Sequence, residues 1–133
     1  MKVLIDTNIL ISAALSPDGT PSKAFFKAVS YPNKAIVCEQ IIDELRRIFN
    51  RKFPNKLSAL DSFLATALTV ISVVPTPIEE CVKEKLIRDV NDRPIFRAAV
   101  NASADIILTG DKDFLEANID NPKILTAAEF IEL

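Results

Sequence analysis

The sequence predicts an α/β protein, a three-layer α/β/α sandwich on a mostly parallel central sheet. Two observations carry the prediction. Two short, wholly apolar runs, Val3-Leu4-Ile5 and Ile106-Ile107-Leu108, end abruptly at polar residues, Asp6-Thr7-Asn8 and Thr109-Gly110-Asp111. Unbroken apolar runs of this length are what strands buried on both faces look like. Segments with helical spacing of apolar residues alternate with these and further short apolar runs, the order expected of strand-helix-strand units. The length of 133 residues suits one domain spanning 1–133, with core enough to fold without staples.

After the first strand, Thr7 to Leu15 carries apolar residues at helical spacing, and Asp6 is placed to accept a hydrogen bond from the free amides of that helix. Ser16-Pro17-Asp18-Gly19 stops it. A second helix starts around Thr20 and Pro21, since proline is accepted in a first helical turn, and runs to Val29. Ala35 to Cys38 reads as a short buried strand. The helix that follows, EQIIDELRRIFNRKF from Glu39, places Ile41, Ile42, Leu45, Ile48 and Phe49 on one stripe about 120° wide. On the same wheel Asp43 lies about 160° from the stripe centre and faces water, whereas Glu44 lies about 100° away and can reach inward from the rim.

Leu57, Leu60, Phe63, Leu64, Ala67, Leu68 and Ile71 continue a helical pattern from Lys56 to Ile71, and Val73-Val74 is a short strand closed by Pro75 and Pro77. Glu79 to Arg88 carries no clear pattern. Asp92 followed by Pro94 reads as a helix N-cap before the apolar stretch Ile95 to Ala102, and that helix leads into the strand Ile106 to Leu108. A short helical turn at Asp113 to Ala117, a last strand at Lys123 to Leu125, and a helix capped by Thr126 complete the chain.

Composition narrows the chemistry. The chain contains no histidine, which removes Ser-His-Asp and Cys-His arrangements and the usual His-ligated zinc or iron sites. Hydrolytic chemistry must then rest on carboxylates, hard oxygen ligands that favour magnesium or manganese. Cys38 and Cys81 lack metal-ligand or redox spacing and form no disulfide framework, so a reducing cytoplasm is expected. Asp6 interrupts the first apolar run long before a signal-peptide core is complete, and the uncharged stretch Ser62 to Ile78 carries hydroxyl residues and two prolines, so neither export nor a membrane span is expected. The formal net charge of -2 leaves room for a local basic patch. Arg47 and Arg51, on the flank next to Glu44, are the candidates for such a patch, the alternative being a solvated face.

Four acids stand where this architecture can bring them together: Asp6 and Asp111 at two strand tips, Glu44 on a helix rim, Asp92 at a helix start. In an open parallel sheet the functional crevice lies beyond the carboxyl ends of the strands. Each acid alone has a structural explanation as a cap or an ion-pair partner. Together they repel one another and lose solvation unless a cation neutralises them. Without a cation, the crowding of Asp6 and Asp111 raises at least one of their pKa values.

KVLIDTNIL at the start, the helix bearing Glu44 after a short strand, the alanine-rich helix after Asp92, and ADIILTGDKDF together resemble a PIN domain over nearly the whole chain. The branch most similar is that of the short VapC-like ribonucleases, toxin components of toxin-antitoxin pairs. The resemblance implies RNA cleavage dependent on Mg²⁺ or Mn²⁺ held by Asp6, Glu44, Asp92 and Asp111, an antitoxin that occludes the crevice, and a homodimer. Relatives often carry a denser acidic run where this chain has Asp89, Asn91, Asp92 and Arg93, so Asp89 competes with Asp92 for the third position. Asp113 and Asn8 are candidates for peripheral roles, Asn8 by orienting Asp6. Two other readings compete: a PIN fold kept as an inactive RNA- or protein-binding module, and aspartyl-phosphate chemistry. The latter is disfavoured because Asn8 stands where such phosphatases usually carry a second acid.

Overall fold

The computed structural model describes residues 1–133. Five strands, β1 (Lys2–Ile5), β2 (Lys34–Cys38), β3 (Ile71–Val74), β4 (Ile106–Leu108) and β5 (Lys123–Leu125), pair entirely in parallel in the order β3-β2-β1-β4-β5. Seven helices connect and cover them: α1 (Thr7–Leu15), α2 (Thr20–Val29), α3 (Glu39–Lys52), α4 (Leu57–Ala67), α5 (Arg93–Asn101), α6 (Lys112–Leu115) and α7 (Ala127–Ile131). This is the predicted α/β/α architecture.

β1 and β4 occupy the middle of the sheet, and every residue from Val3 to Ile5 and from Ile106 to Leu108 is buried. Helices on both faces explain why these strands read as unbroken apolar runs rather than alternating ones. The chain runs outward from β1 through β2 to β3, then returns to the other side of β1 for β4 and β5. The strand order therefore reverses between β1 and β4, and such a reversal opens a crevice at the carboxyl ends of the two strands. Their register pairs Ile5 with Leu108, so the residues that follow, Asp6 and Thr109-Gly110-Asp111, leave the sheet side by side.

The boundary between α4 and β3 differs from expectation. The helix ends at Ala67 instead of running to Ile71, and β3 begins at Ile71, which pairs with Ala35. Thr69, Val70 and Ile71 are all β-branched and poorly suited to a helix, and the Thr69 hydroxyl closes the turn by donating to the Thr66 carbonyl at 2.6 Å. Ile71 is buried in the sheet rather than on a helical stripe.

The segment from Glu79 to Arg88 forms a 3₁₀ turn at Val82–Leu86 held by a buried ion pair. Arg97 of α5 donates from Nε and Nη2 to the two carboxylate oxygens of Glu84 at 2.8 and 2.7 Å, and from Nη1 to the carbonyl of Pro77 at 3.0 Å. Glu84 also accepts from the Cys81 amide at 2.7 Å. A stretch without hydrophobic periodicity is thus pinned by polar contacts to α5, the helix that begins beside Asp92.

Candidate metal centre and active site

Asp6 is the first residue beyond β1 and the N-cap of α1, and it is 4% exposed. Its Oδ1 accepts from the Thr7 amide at 2.8 Å and its Oδ2 from the Thr109 hydroxyl at 2.7 Å, while its own amide donates to the Leu108 carbonyl at 2.9 Å. Two hydrogen bonds to the ionised form lower a carboxyl pKa. Nevertheless the Asp6 pKa is raised to about 6, chiefly by burial, with repulsion from Glu44 and Asp111 adding to it. Asp6 is therefore both a helix cap and a member of a crowded acidic group. Burial outweighs the mutual repulsion anticipated from the sequence.

Asp111 follows β4 and caps α6 by accepting from the Asp113 amide at 2.9 Å. Its backbone amide donates to the Thr109 hydroxyl at 3.0 Å. Glu44, half-buried on α3, reaches inward as its place on the helical wheel predicts and lies within charge range of Asp6. Asp43 is exposed, as expected, but borders the same cleft as Glu44.

Asp92 departs from its expected role. It occupies the residue before α5 but caps nothing: its backbone is helical, with φ -88° and ψ -16°, where a capping residue is normally extended. The carboxyl is turned instead toward Asp111, with which it makes side-chain contact. Asp92 is 8% exposed and its Oδ2 has no hydrogen-bond partner. Burial, then the charge of Asp111 and a hydrogen bond with it, hold the Asp92 pKa far above the ordinary carboxylate range. A cation beside Asp92 would offset the burial and repulsion that disfavour its charged form.

Glu44, Asp92 and Asp111 border an open cleft of about 920 Å³, with Ile48 its one hydrophobic wall residue; buried Asp6 does not line it. Glu44, Arg47 and Arg51 of α3 form one side; Asp89, Asn91, Asp92 and Asp111 form the other. The α3 side is tied to the opposite loop by Gln40, whose Nε2 donates to the Asn91 carbonyl at 2.9 Å. Arg47 and Arg51 are exposed and neither forms a salt bridge, whereas Arg46 pairs with Asp61 at 3.3 Å.

Asp89 and Asp92 both line this cleft. Asp92 faces inward to Asp111. Asp89, Asp92 and Asp113 each offer an oxygen within 4.8 Å of the other two. No three of Asp6, Glu44, Asp92 and Asp111 approach one another that closely, although charge couples them. Asn8 makes no hydrogen bond with Asp6; its Oδ1 accepts from the Gly110 amide at 3.4 Å and links the two strand tips. Sequence reasoning passes over Thr109 as part of a turn. Its signal is a hydroxyl residue directly between an apolar strand and a Gly-Asp pair. It also misses Arg88, which bonds Asp113 through Nε and Nη2 at 2.9 and 2.6 Å.

The donor set fits a hard divalent cation: all-oxygen ligands, carboxyls held above their usual pKa range by burial and repulsion, and a buried Asp92 oxygen without a partner. A cation would supply that partner and relieve the repulsion.

A family model described as PIN domain matches residues 2–113. The chain belongs to the PIN domain family. A relative of uncharacterised function, protein MJ1680 of Methanocaldococcus jannaschii, is 31% identical over 99% of this chain and 90% of its own length. Among solved structures, VapBC2 from Rickettsia felis bound to a DNA fragment from its promoter has a TM-score of 0.70 at 17% identity, covering 95% of this chain and 98% of that one. VapC20 of Mycobacterium tuberculosis, a toxin that cleaves the sarcin-ricin loop, has a TM-score of 0.65 at 16% identity, covering 89% and 96%. PAE2754 from Pyrobaculum aerophilum has a TM-score of 0.59 at 13% identity, covering 99% and 94%. At these identities the solved structures speak for the fold. No helix of this PIN domain is long and apolar enough to cross a membrane.

Proposed function

We propose that this PIN domain is a divalent-metal-dependent endoribonuclease, the toxin of a toxin-antitoxin pair acting in the cytoplasm. One observation carries the reading: Asp92, buried beside Asp111 at the cleft, has a carboxylate oxygen that no protein group satisfies. Asp6, Asp92 and Asp111 would hold Mg²⁺ or Mn²⁺, and Glu44 would bind the ion through water or orient the attacking water. When bound, the ion supplies a water of lowered pKa and charge stabilisation for a phosphodiester under in-line attack.

The chain's own residues do the rest. Thr109 holds Asp6 in one orientation and keeps its charge accessible by favouring the ionised form. Arg47 and Arg51, free of ion pairs on the cleft wall, hold the RNA backbone by charge. An open, polar cleft with one apolar wall residue suits a sugar-phosphate chain better than a small apolar ligand. Relatives in fold include a VapBC complex and a VapC that cleaves the sarcin-ricin loop, which supports a protein antitoxin as partner. An Arg or Lys of that partner, laid into the acids, would mimic the metal charge; a homodimer is proposed from the resemblance alone.

Incubation with a mixed RNA pool tests the reading. Cleavage is expected with Mg²⁺ or Mn²⁺ and not in excess chelator. Cleavage that persists in chelator overturns the metal dependence, and absence of cleavage with either ion favours an inactive binding module.

A further inference from the structure

We infer that the end of the cleft built by Gln40 and Asn91 reads the base beside the scissile phosphate, and that it selects a base carrying an exocyclic amino group, adenine above all, against uracil. This deepens the ribonuclease reading and rests on it for the place of the scissile phosphate. α3 turns one face to the cleft, and charge is sorted along that face: Glu39, Asp43 and Glu44 lie in its first half, Arg47 and Arg51 in its second. A phosphate chain is attracted along Arg47 and Arg51 and repelled from Glu39 and Asp43. The first half of α3 therefore suits an uncharged part of a nucleotide, one that offers hydrogen-bond donors.

Gln40 stands there, one helical turn before Glu44, about 6 Å along the axis. Its Nε2 donates to the backbone carbonyl of Asn91, the sequence neighbour of Asp92, at 2.9 Å. A carbonyl only accepts, so this bond fixes which way the glutamine amide is turned. Oε1 is left without a protein donor, and Nε2 keeps a second N–H. The opposite wall is itself held, because the Asn91 backbone amide donates to Asp89 Oδ1 at 2.9 Å. The Asn91 side chain is exposed and bonds to no protein group, so a second amide is at hand.

No aromatic ring lines the cleft. A base is then distinguished by its edge rather than held on a stacking platform. A glutamine amide offers an acceptor and a donor side by side, the pattern that matches the amino group and neighbouring ring nitrogen of adenine, whereas a carboxylate accepts from the amino group of cytosine. Uracil carries a carbonyl where those bases carry the amino group, so against Gln40 Oε1, Glu39 and Asp43 it sets acceptor against acceptor.

Two measurements test the inference: cleavage of a randomised RNA pool in Mn²⁺ with the new ends sequenced, and binding of phosphorothioate-linked oligoadenylate and oligouridylate, which resist cleavage. Wild type should cut with adenine enriched over uracil by about five- to tenfold at one fixed position relative to the cut, and should prefer oligoadenylate in binding by a similar factor. Gln40→Leu should erase the bias at that position. Gln40→Glu keeps an acceptor and loses the donor, so it should move the bias from adenine toward cytosine. Asn91→Ala keeps the backbone carbonyl that Gln40 bonds, and should weaken the bias without changing its sense. The bias is a ratio within each protein, so a lower overall rate or a looser fold does not imitate these changes. Cleavage with no base bias, or with a bias that Gln40→Leu leaves intact, overturns the inference and leaves the ribonuclease reading standing; a Gln40→Glu protein that keeps the adenine bias overturns the assignment to the glutamine amide. Absence of cleavage, with oligoadenylate preferred in binding and that preference lost in Gln40→Leu, removes the ribonuclease reading and leaves the base site standing. Equal binding of the two oligonucleotides without cleavage removes both.

Discussion

The hydroxyl of Thr109 donates to Asp6 Oδ2 at 2.7 Å, joining residues that lie 103 positions apart in the chain. The same hydroxyl oxygen accepts from the Asp111 amide at 3.0 Å, so one buried side chain connects both strand tips and fixes the acid of each. Parallel pairing of β1 with β4 makes this contact possible, and the buried position makes it matter.

Replacing Thr109 by valine keeps the shape and removes the donor. Asp6 Oδ2 then stays buried and unpaired, which costs about 1–3 kcal/mol of stability. The Asp6 pKa should rise further above about 6, because a hydrogen bond that favours its ionised form is removed. Urea unfolding and the pH midpoint of Mn²⁺ binding read the two effects. A variant with wild-type stability and an unshifted midpoint contradicts the role given to Thr109.

The metal-free protein should be more stable at pH 5 than at pH 8. The Asp6 pKa moves from 3.8 to about 6 on folding, and that of Asp92 moves in the same direction. The folded state therefore binds more protons than the unfolded chain above about pH 4, and stability falls as pH rises through the folded values. For Asp6 alone the difference is on the order of 2–3 kcal/mol, developed between about pH 4 and pH 6. Asp6→Asn should flatten this dependence and abolish stabilisation by Mn²⁺ at pH 8. Thermal melts in chelator from pH 5 to pH 8 provide the comparison, and a wild type that gains stability toward pH 8 rules the scheme out.

Arg47→Gln with Arg51→Gln should weaken RNA binding and flatten its dependence on salt. Removing one arginine–phosphate interaction lowers the log-log slope by roughly 0.7 for a single strand. Binding measured from low to moderate salt with an uncleavable RNA reads the slope. An unchanged slope returns the two arginines to a solvated face.

Arg97→Met should be the most destabilising of these substitutions, costing about 3–5 kcal/mol, because it strands the buried Glu84 carboxylate. Arg97 is 13% and Glu84 3% exposed in side chain, and the Glu84 pKa is held down to about 2, first by the hydrogen bond from Arg97. Adding Glu84→Leu should restore much of the stability, since no buried charge then remains. Urea unfolding of both variants separates a stranded charge from simple loss of packing, which the second substitution would not repair.

What is legible in the sequence is whatever burial writes into it. The apolar runs around Val3–Ile5 and Ile106–Leu108 and the stripe of α3 mark the central strands and the inward helix face, and with them the places of Asp6, Glu44 and Asp111. The end of α4 is misplaced from sequence because Ile71 satisfies a helical spacing while its pairing with Ala35 is a tertiary fact. Glu79 to Arg88 is opaque because an Arg97–Glu84 ion pair, not hydrophobic periodicity, holds it. Asp92 looks like a cap because residue type and Pro94 fit one; its helical backbone angles show otherwise. Thr109 and Arg88 act through partners 103 and 25 residues away, which no local pattern records.

The central claim is that Asp6 stands in a metal centre that cleaves RNA, and one comparison addresses it directly: cleavage of an RNA pool in Mn²⁺ by wild type and by Asp6→Asn, with the fold of each checked by thermal melting. Wild type should cleave, and an Asp6→Asn protein that melts at or above the wild-type temperature in chelator at pH 8 should not. Full cleavage by a folded Asp6→Asn protein would contradict the claim.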